Sequence, residues 1–238
     1  MRYRFEFNFE LIFMPIVFAC ISPHPPIILP NVGSKEDREK VKKTIESLEK
    51  LGEKLKESNI ELPKEAKMKK RFISSTPDSI IISAPHTDWG FNVPLFFLAK
   101  DFRGEIKTYL MGMESPVFYF EQGKKVYHET CNIKPKTRKI ALIASGDLSH
   151  CLKEDGPYGF NPDGPKFDKT LIDSLKNKDI KTILKLDDLY PEAGECGLRS
   201  FCFLLGIIEE SGVNYQPEIL SYEGPFGVGY LVANIQLK

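Results

Sequence analysis

Three short apolar runs, each followed closely by a histidine, constrain the fold of this chain more than any other feature. The runs are residues 16–21, 80–84 and 140–145, and the histidines that follow them are His24, His86 and His150. A short, continuously apolar run bounded by turn residues is typical of a strand buried on both faces. Because strand ends in an open α/β sheet share one edge, where ligands bind, we expect these three histidines to lie close together.

Helical patterns alternate with the strand patterns along the chain. Ser34 and Asp37 form a capping-box pattern before an apolar stripe at helical spacing, and a second stripe begins at Leu198 and ends before Gly212. Further helices are predicted at residues 168–175 and 180–186, strands at 106–110, 117–120, 217–222 and 228–235, a basic linker at 64–71 and a mobile covering loop at 154–165. The sequence thus predicts an α/β fold with a central mixed, largely parallel sheet flanked by helices.

The 238 residues are best explained as a single domain, because no internal repeat or low-complexity linker divides them. Residues 1–13 mix charged and aromatic side chains and lack the basic start, apolar stretch and cleavage site of a signal peptide. We expect them to be an N-terminal extension outside the core, and residues 14–238 to form the domain.

Composition limits the classes of partner. Lysine plus arginine and aspartate plus glutamate each number 33, so the chain lacks the basic surplus that is typical of binding to nucleic acid or anionic membranes. No apolar run approaches the ~20 residues that span a bilayer. Five cysteines without a C-x-x-C pair fit reduced thiols better than disulfides or a cysteine-rich zinc site. We therefore predict a cytoplasmic protein that binds a small molecule and neither nucleic acid nor a membrane.

The histidines indicate a metal site whose carboxylate the residues alone do not identify. Two histidines and one carboxylate form the facial ligand set of non-haem Fe(II) oxygenases, and a similar set serves zinc hydrolysis. Glu195, Asp88 and Asp147 are equal candidates for the carboxylate. Gly194 and Gly197 would let the backbone pack closely around Glu195, but an acid in the first turn of a helix is also favoured by the helix dipole alone.

Other chemistries lack their sequence motifs. The chain contains no G-x-S-x-G elbow, Walker loop or dinucleotide fingerprint. Ser149 and His150 are adjacent and therefore do not form a catalytic triad, and Cys196 is interpreted as a buried thiol at a helix start rather than a nucleophile. His128 follows a polar stretch instead of a strand and is expected at the surface.

Five short segments resemble the catalytic-subunit family of class III extradiol ring-cleavage dioxygenases, and especially its AmmeMemoRadiSam and Memo-like group. The resemblance extends over nearly all of residues 14–238, and its segments occur in the family's order. They are Ser22-Pro23-His24-Pro25-Pro26, Ala84-Pro85-His86, Gly146-Asp147-Leu148-Ser149-His150, Gly194-Glu195-Cys196-Gly197 and the stretch from Ser221 to Tyr230. The fold that this resemblance implies is an α/β sheet flanked by helices.

The resemblance also implies a ligand set and an activity. By it, His24, His86 and Glu195 correspond to the ligands of ferrous iron, with zinc or another divalent metal as the alternative, and His150 corresponds to the catalytic acid/base. Asp147 and Ser149, in the same segment as His150, are expected to contact the substrate. The implied reaction is oxygen-dependent ring opening of a catechol-like diol, in which a histidine that titrates near neutral pH takes a hydroxyl proton.

Two other functions fit the same residues. A Memo-like protein would use the pocket for metal binding, ligand recognition or metal-linked redox chemistry without cleaving a ring. A metal-dependent hydrolase would use the same ligands with a metal-bound water. For the partners we expect a small-molecule substrate and dioxygen, and either a homo-oligomer or a small companion subunit is compatible with the family resemblance.

Overall fold

A computed structural model describes residues 10–13, 34–57, 69–73, 94, 97, 107–131, 141–156 and 158–237. His24, His86 and the first two predicted strands, residues 16–21 and 80–84, lie outside these ranges. What the sequence indicates about them therefore stays a prediction.

The described residues form six strands and six α-helices. The strands are β1 (Glu10–Phe13), β2 (Lys69–Ile73), β3 (Lys107–Met111), β4 (Leu142–Ala144), β5 (Tyr215–Glu223) and β6 (Tyr230–Leu237). The α-helices are α1 (Lys35–Glu57), α2 (Pro116–Val126), α3 (Asp163–Asn177), α4 (Ile180–Ile183), α5 (Leu186–Leu189) and α6 (Leu198–Ser211), with a π-helical turn at Tyr127–Cys131 and a 3-10 turn at Pro225–Gly227. The predicted mixture of helices and strands is confirmed.

The described strands form two sheets. Four strands lie in the order β4, β1, β6, β5, with one parallel pair and two antiparallel pairs, and β2 pairs with β3 in parallel. The short connection at residues 224–229 makes β5 and β6 antiparallel, because a parallel pair needs a much longer crossover. A largely parallel central sheet is therefore not confirmed for the residues described.

Strand β1 comes from the segment that we expected to lie outside the core. Three of its residues pair in parallel with β4, with Leu11 opposite Leu142, and all four pair antiparallel with β6, with Leu11 opposite Ile235. Glu10–Phe13 is thus part of the sheet, unlike our expectation for residues 1–13, because its backbone fills the place between β4 and β6.

Helix α1 begins with the predicted capping box. The Ser34 hydroxyl accepts the Asp37 N–H at 3.1 Å and donates to the Asp37 carboxylate at 2.7 Å. The same carboxylate also accepts from Lys153 Nζ at 2.7 Å and from the Phe226 N–H at 3.1 Å. Burial opposes its ionisation, but the bonds from Lys153, Ser34 and Phe226 hold the pKa of Asp37 well below its usual range. The start of α1 is therefore tied to two loops of the site described below.

Strand β6 is buried on both faces and separates two packed layers. On one face, Tyr230 and Val232 pack with the stripe of α1, which includes Leu48 and Leu51. On the other face, alternate residues of the strand pack against α3 and α6; they are Leu231, Ala233 and Ile235. This alternation follows from the two-residue repeat of a strand, and it places the sheet between helices as predicted.

Helices α2 and α6 approach closely at two glycines. A Cβ atom on Gly206 would lie 2.0 Å from the Phe120 carbonyl oxygen, and one on Gly123 would lie 2.1 Å from the Phe203 carbonyl oxygen. These distances are far below van der Waals contact, so neither position accepts a larger residue unless the helices move apart. Leucine-rich packing alone would not bring the two backbones this close.

We expect Gly206→Ala to lower the free energy of unfolding by about 2 kcal/mol, within the range found for overpacked cores. Denaturant unfolding of both proteins measures this difference. Gly212→Ala is the control, because Gly212 has a positive φ of 65° but no atom within 4 Å of its added Cβ. That backbone strain costs about 1 kcal/mol. A Gly206→Ala loss no larger than the control loss would contradict the close packing.

Several sequence-based boundaries need correction. Residues 117–120, predicted as a strand, belong to α2, which Ser115 caps by accepting the Phe118 N–H at 3.2 Å and in which Pro116 takes the first position. The predicted loop 154–165 ends earlier, because α3 begins at Asp163. Part of the predicted linker 64–71 forms β2, and the predicted helix 180–186 is two short helices, α4 and α5.

No helix in the described ranges is both long enough and apolar enough to cross a membrane.

Candidate active site

Three of the five segments that carry the family resemblance meet at the end of β4. The turn at residues 145–150 is joined to the connection between β5 and β6, because the Leu148 N–H donates to the Gly229 carbonyl at 3.0 Å and the Gly229 N–H donates to the Ser149 carbonyl at 2.7 Å. On its other side, the Gly197 N–H donates to the Asp147 carbonyl at 2.9 Å. Backbone hydrogen bonds thus hold the turn between the segments that contain Glu195 and Gly229.

Gly146 and Gly197 allow the turn to approach the start of α6 closely. A Cβ atom on Gly146 would lie 2.3 Å from the Gly197 Cα, and one on Gly197 would lie 2.3 Å from the Phe201 ring. Gly197 therefore lets the turn lie directly against the start of α6. Any side chain at either glycine would push the turn away from the start of α6.

His150 lies at the end of this turn and is almost fully buried. Its side chain has an exposed fraction of 3%, and its Nε2 atom lies 3.2 Å from the Asp147 Oδ2 atom, whose side chain is 1% exposed. The ring of Tyr158 stacks on the imidazole with a centroid separation of 5.4 Å and an interplanar angle of 7°. Tyr158 belongs to the loop predicted to cover a site, and it covers His150.

Glu195 lies just before α6 and is held at both carboxylate oxygens. Its Oε2 accepts the Leu198 N–H at 2.7 Å, and its Oε1 pairs with Arg199 Nη1 at 3.0 Å. Arg199 is fixed in turn, because its Nε donates to the Glu114 carbonyl at 2.9 Å. Burial raises the pKa of Glu195, while the Leu198 N–H and the Arg199 charge oppose that rise. The carboxylate is thus oriented before any ligand binds.

Three side chains with donor atoms suited to a metal lie close together at the end of β4. Asp147, His150 and Cys196 each offer one ligand atom, and these atoms lie within 4.8 Å of one another. These three residues present oxygen, nitrogen and sulfur donors, a set that fits a divalent transition metal, whereas the Glu195 carboxylate is not part of this cluster among the described residues. His24 and His86, the other predicted ligands, lie outside the described residues.

Cys196 differs from the sequence-based interpretation. We expected a buried thiol, but the residue is exposed. Its position just before α6 leaves it at the edge of the site, where its Sγ accepts the Asp147 N–H at 3.2 Å. The thiol is therefore one of the groups that line the candidate metal site.

Ser149 has a structural place within the turn. Its hydroxyl donates to the Ala193 carbonyl at 2.7 Å and accepts the Cys151 N–H at 2.9 Å, and the residue is fully buried. Substrate contact by Ser149 stays a prediction, as does substrate contact by Asp147, whose carboxylate faces His150.

Asp168, in α3, stabilises the turn at residues 145–150, a role that the sequence alone did not predict. Its Oδ1 accepts the Ser149 N–H at 2.8 Å and its Oδ2 accepts the Tyr222 hydroxyl at 2.6 Å. Burial raises the pKa of Asp168 to about 7, against the lowering effect of these two hydrogen bonds. The signal was available, because Asp168 shares the helical spacing of Leu171 and Leu175 in the buried stripe of α3.

Two further residues of the site were not predicted. Arg199 follows Glu195 by four positions, a spacing that brings opposite charges together at a helix start. No sequence pattern except the glycine-rich loop indicated a role for Tyr158, because its stacking on His150 depends on tertiary structure. His128 lies where predicted: its side chain is 58% exposed, and its Nε2 is 2.8 Å from Glu210 Oε1.

Comparison with known proteins places these residues in a family. Residues 64–233 match the family model described as the catalytic LigB subunit of aromatic ring-opening dioxygenase. The chain belongs to this family. The match confirms the predicted relationship to class III extradiol dioxygenases and includes His86, His150 and Glu195, whereas His24 precedes the matched range. A closer relationship to the Memo-like group stays a prediction.

Two individual proteins are similar to this LigB family member. Protein CA_C1420 of Clostridium acetobutylicum is 42% identical over 151 residues, which are 63% of this chain and 31% of that protein. The chain thus spans about a third of the length of this curated relative. The crystal structure of the uncharacterised protein JW3007 from Escherichia coli K12 aligns over 95% of this chain and 99% of that one, with 15% identity and a TM-score of 0.46.

Proposed function

We propose that this chain is a non-haem, Fe(II)-dependent extradiol dioxygenase that opens the ring of a catechol-like diol. The observation that carries the proposal is the buried pair of His150 and Asp147 beside Glu195, in a chain of the LigB family. A histidine within hydrogen-bond distance of a carboxylate is suited to proton transfer near neutral pH.

His24, His86 and Glu195 would hold the metal. Ferrous iron with two histidines and one carboxylate supplies adjacent open positions for a bidentate diol and for dioxygen. Glu195 suits this role because Arg199 and the Leu198 N–H orient its carboxylate, while a lone pair on each oxygen stays available. Supporting contacts of this kind commonly set the orientation of metal ligands.

The chain's own residues would move the proton and limit access to water. His150 would accept a proton from a substrate hydroxyl and return it to the product. Tyr158, stacked on the imidazole, would have to move aside or stack on the diol ring when a substrate enters. The loop that carries Tyr158 would then close over the bound diol and exclude water.

A second candidate function is metal binding without ring cleavage. The cluster of Asp147, His150 and Cys196 supports it, because a thiol is a soft ligand that suits zinc or copper as well as iron. In that case the pocket would serve recognition, redox chemistry or hydrolysis by a metal-bound water. For either function we propose a cytoplasmic protein whose partners are small molecules, not nucleic acid or membranes.

Measurement of oxygen uptake distinguishes the dioxygenase from a protein that binds metal without cleaving a ring. The protein is loaded anaerobically with ferrous iron, mixed with a panel of catechols and related diols, and exposed to oxygen while uptake and the absorbance of ring-opened product are followed. The dioxygenase proposal expects equal uptake and product formation with at least one diol. Iron-loaded protein that shows no uptake above the His150→Ala background with any diol would exclude ring cleavage and favour the second candidate.

A further inference from the structure

We propose that Asp147 is a positioning residue that sets the tautomer of His150, so that Nε2 carries the proton and Nδ1 is the proton-accepting nitrogen. The inference rests on the proposed function for its catalytic consequence, but the tautomer itself is a property of the protein without metal or substrate. It assigns Asp147 a role that acts through His150 rather than through the substrate.

The geometry of the pair supports this role. His150 Nε2 lies 3.2 Å from Asp147 Oδ2, and both side chains are at least 97% buried. An ionised carboxylate can only accept a hydrogen bond, so the imidazole nitrogen that faces it must donate. A neutral imidazole carries one ring proton, and placing that proton on Nε2 leaves Nδ1 with a free lone pair. The hydrogen bond that the structure describes for this ring is the one at Nε2.

The turn holds this pair rigidly. Asp147 and His150 are three positions apart, and hydrogen bonds fix the backbone of every residue between them. The Asp147 carbonyl accepts the Gly197 N–H, the Leu148 N–H donates to the Gly229 carbonyl, and the Ser149 N–H donates to the Asp168 carboxylate. A base whose orientation is set before substrate binds loses little entropy in the reaction.

The catalytic consequence is a simple proton transfer. A substrate hydroxyl gives its proton to Nδ1, the imidazole becomes a cation with both nitrogens protonated, and the Asp147 carboxylate stabilises that cation at Nε2. The proton returns from Nδ1 to the product, and the neutral tautomer forms again. Charge and protons balance without another reactant.

Nitrogen-15 NMR of the histidine side chains in metal-free protein, recorded over a series of pH values, tests the tautomer directly. The two tautomers differ in the ring nitrogen shifts and in their couplings to the ring protons. We expect a protonated Nε2 and an unprotonated Nδ1 in the wild type, and a shift toward the other tautomer in Asp147→Asn, whose amide can donate to Nε2. His128→Ala identifies the signals of the surface histidine.

A kinetic cycle provides the second measurement. In the iron-loaded enzyme, Asp147→Asn should lower kcat by at least ~10-fold and at most by the ~10²- to 10⁴-fold loss of a general base, with KM little changed. Asp147→Asn combined with His150→Ala should be no slower than His150→Ala alone, because both changes remove one function.

The proposal would be overturned by a protonated Nδ1 in wild-type protein, by a tautomer unchanged in Asp147→Asn, or by additive losses in the double variant. Loss of bound iron in Asp147→Asn would also overturn it, because Asp147 would then be a ligand. If Asp147→Asn does not fold, the wild-type tautomer alone decides. A failure to turn over any diol would refute the dioxygenase function but leave the tautomer result valid.

Discussion

His150→Ala should reduce oxygen-dependent turnover by roughly 10²- to 10⁴-fold while the protein keeps its metal, because a general base contributes about that much to the rate. The side chain that is lost belongs to the candidate site, with Asp147 at one nitrogen and Tyr158 on its face. Oxygen uptake and elemental analysis on the same preparation measure both properties.

His128→Ala is the matched control for this experiment. His128 is exposed and pairs with Glu210, far along the chain from the turn that holds His150. We expect its removal to change neither turnover nor metal content. If His150→Ala loses the metal together with activity, His150 is a ligand and the assignment of the base is wrong.

Asp168→Asn should remove a pH dependence from the stability of the protein. Burial raises the folded-state pKa of Asp168 to about 7, from an ordinary value of 3.8. The folded state therefore favours the neutral acid. The contribution of this group to the free energy of unfolding is fully present below pH 4 and is lost as the pH rises to 7. The loss is on the order of 4 kcal/mol, at about 1.4 kcal/mol for each unit.

Denaturant unfolding across this pH range, on the wild type and Asp168→Asn, measures the effect. The variant amide imitates the neutral acid, because it can accept the Ser149 N–H and donate to the Tyr222 hydroxyl. Wild-type stability should fall relative to the variant between pH 4 and pH 7. Asp173→Asn, on the exposed side of the same helix, should show no such fall. A constant difference between wild type and Asp168→Asn would contradict a buried neutral carboxyl group.

Much of the helical structure was predictable because the signals are local. The capping box at Ser34 and the apolar stripe of α1 depend only on neighbouring residues, and the structure confirms both. The glycine after α6 likewise ends its helix at Gly212 with a positive φ of 65°. Strands β5 and β6 were also predicted, since a short glycine-containing connection separates two apolar runs.

The wrong secondary-structure predictions fall on segments where two local patterns indicate different structures. Residues 117–120 have the aromatic character of a strand, yet Ser115 and Pro116 before them are strong helix-start signals, and these decide the outcome. The early start of α3 was missed because glycine and proline at residues 164 and 165 indicate a loop, although both are accepted in the first turn of a helix. The place of β1 depends on its pairing with distant strands, which no local pattern reveals.

The sequence indicated two residues of the candidate site, but not the residues that hold them in place. His150 was indicated by its position after a strand and by the family resemblance, whereas Glu195 was selected by the resemblance alone. The structure places both beside the turn that follows β4. Asp168, Arg199 and Tyr158 act on those residues through tertiary contacts. The contacts of Asp168 and Tyr158 depend on the folded structure, whereas Arg199 lies only four positions after Glu195, a spacing that the sequence itself shows.

Metal content is the decisive measurement for the proposed binding of one divalent metal by His24, His86 and Glu195. Protein purified without oxygen and loaded with ferrous iron is analysed as the wild type and as His24→Ala, His86→Ala, Glu195→Ala and Cys196→Ser, each checked for folding by circular dichroism. We expect one iron per chain in the wild type and in Cys196→Ser, and at least ~100-fold weaker binding in the three ligand variants. Full metal retention in those three, or loss in Cys196→Ser alone, would contradict the assignment.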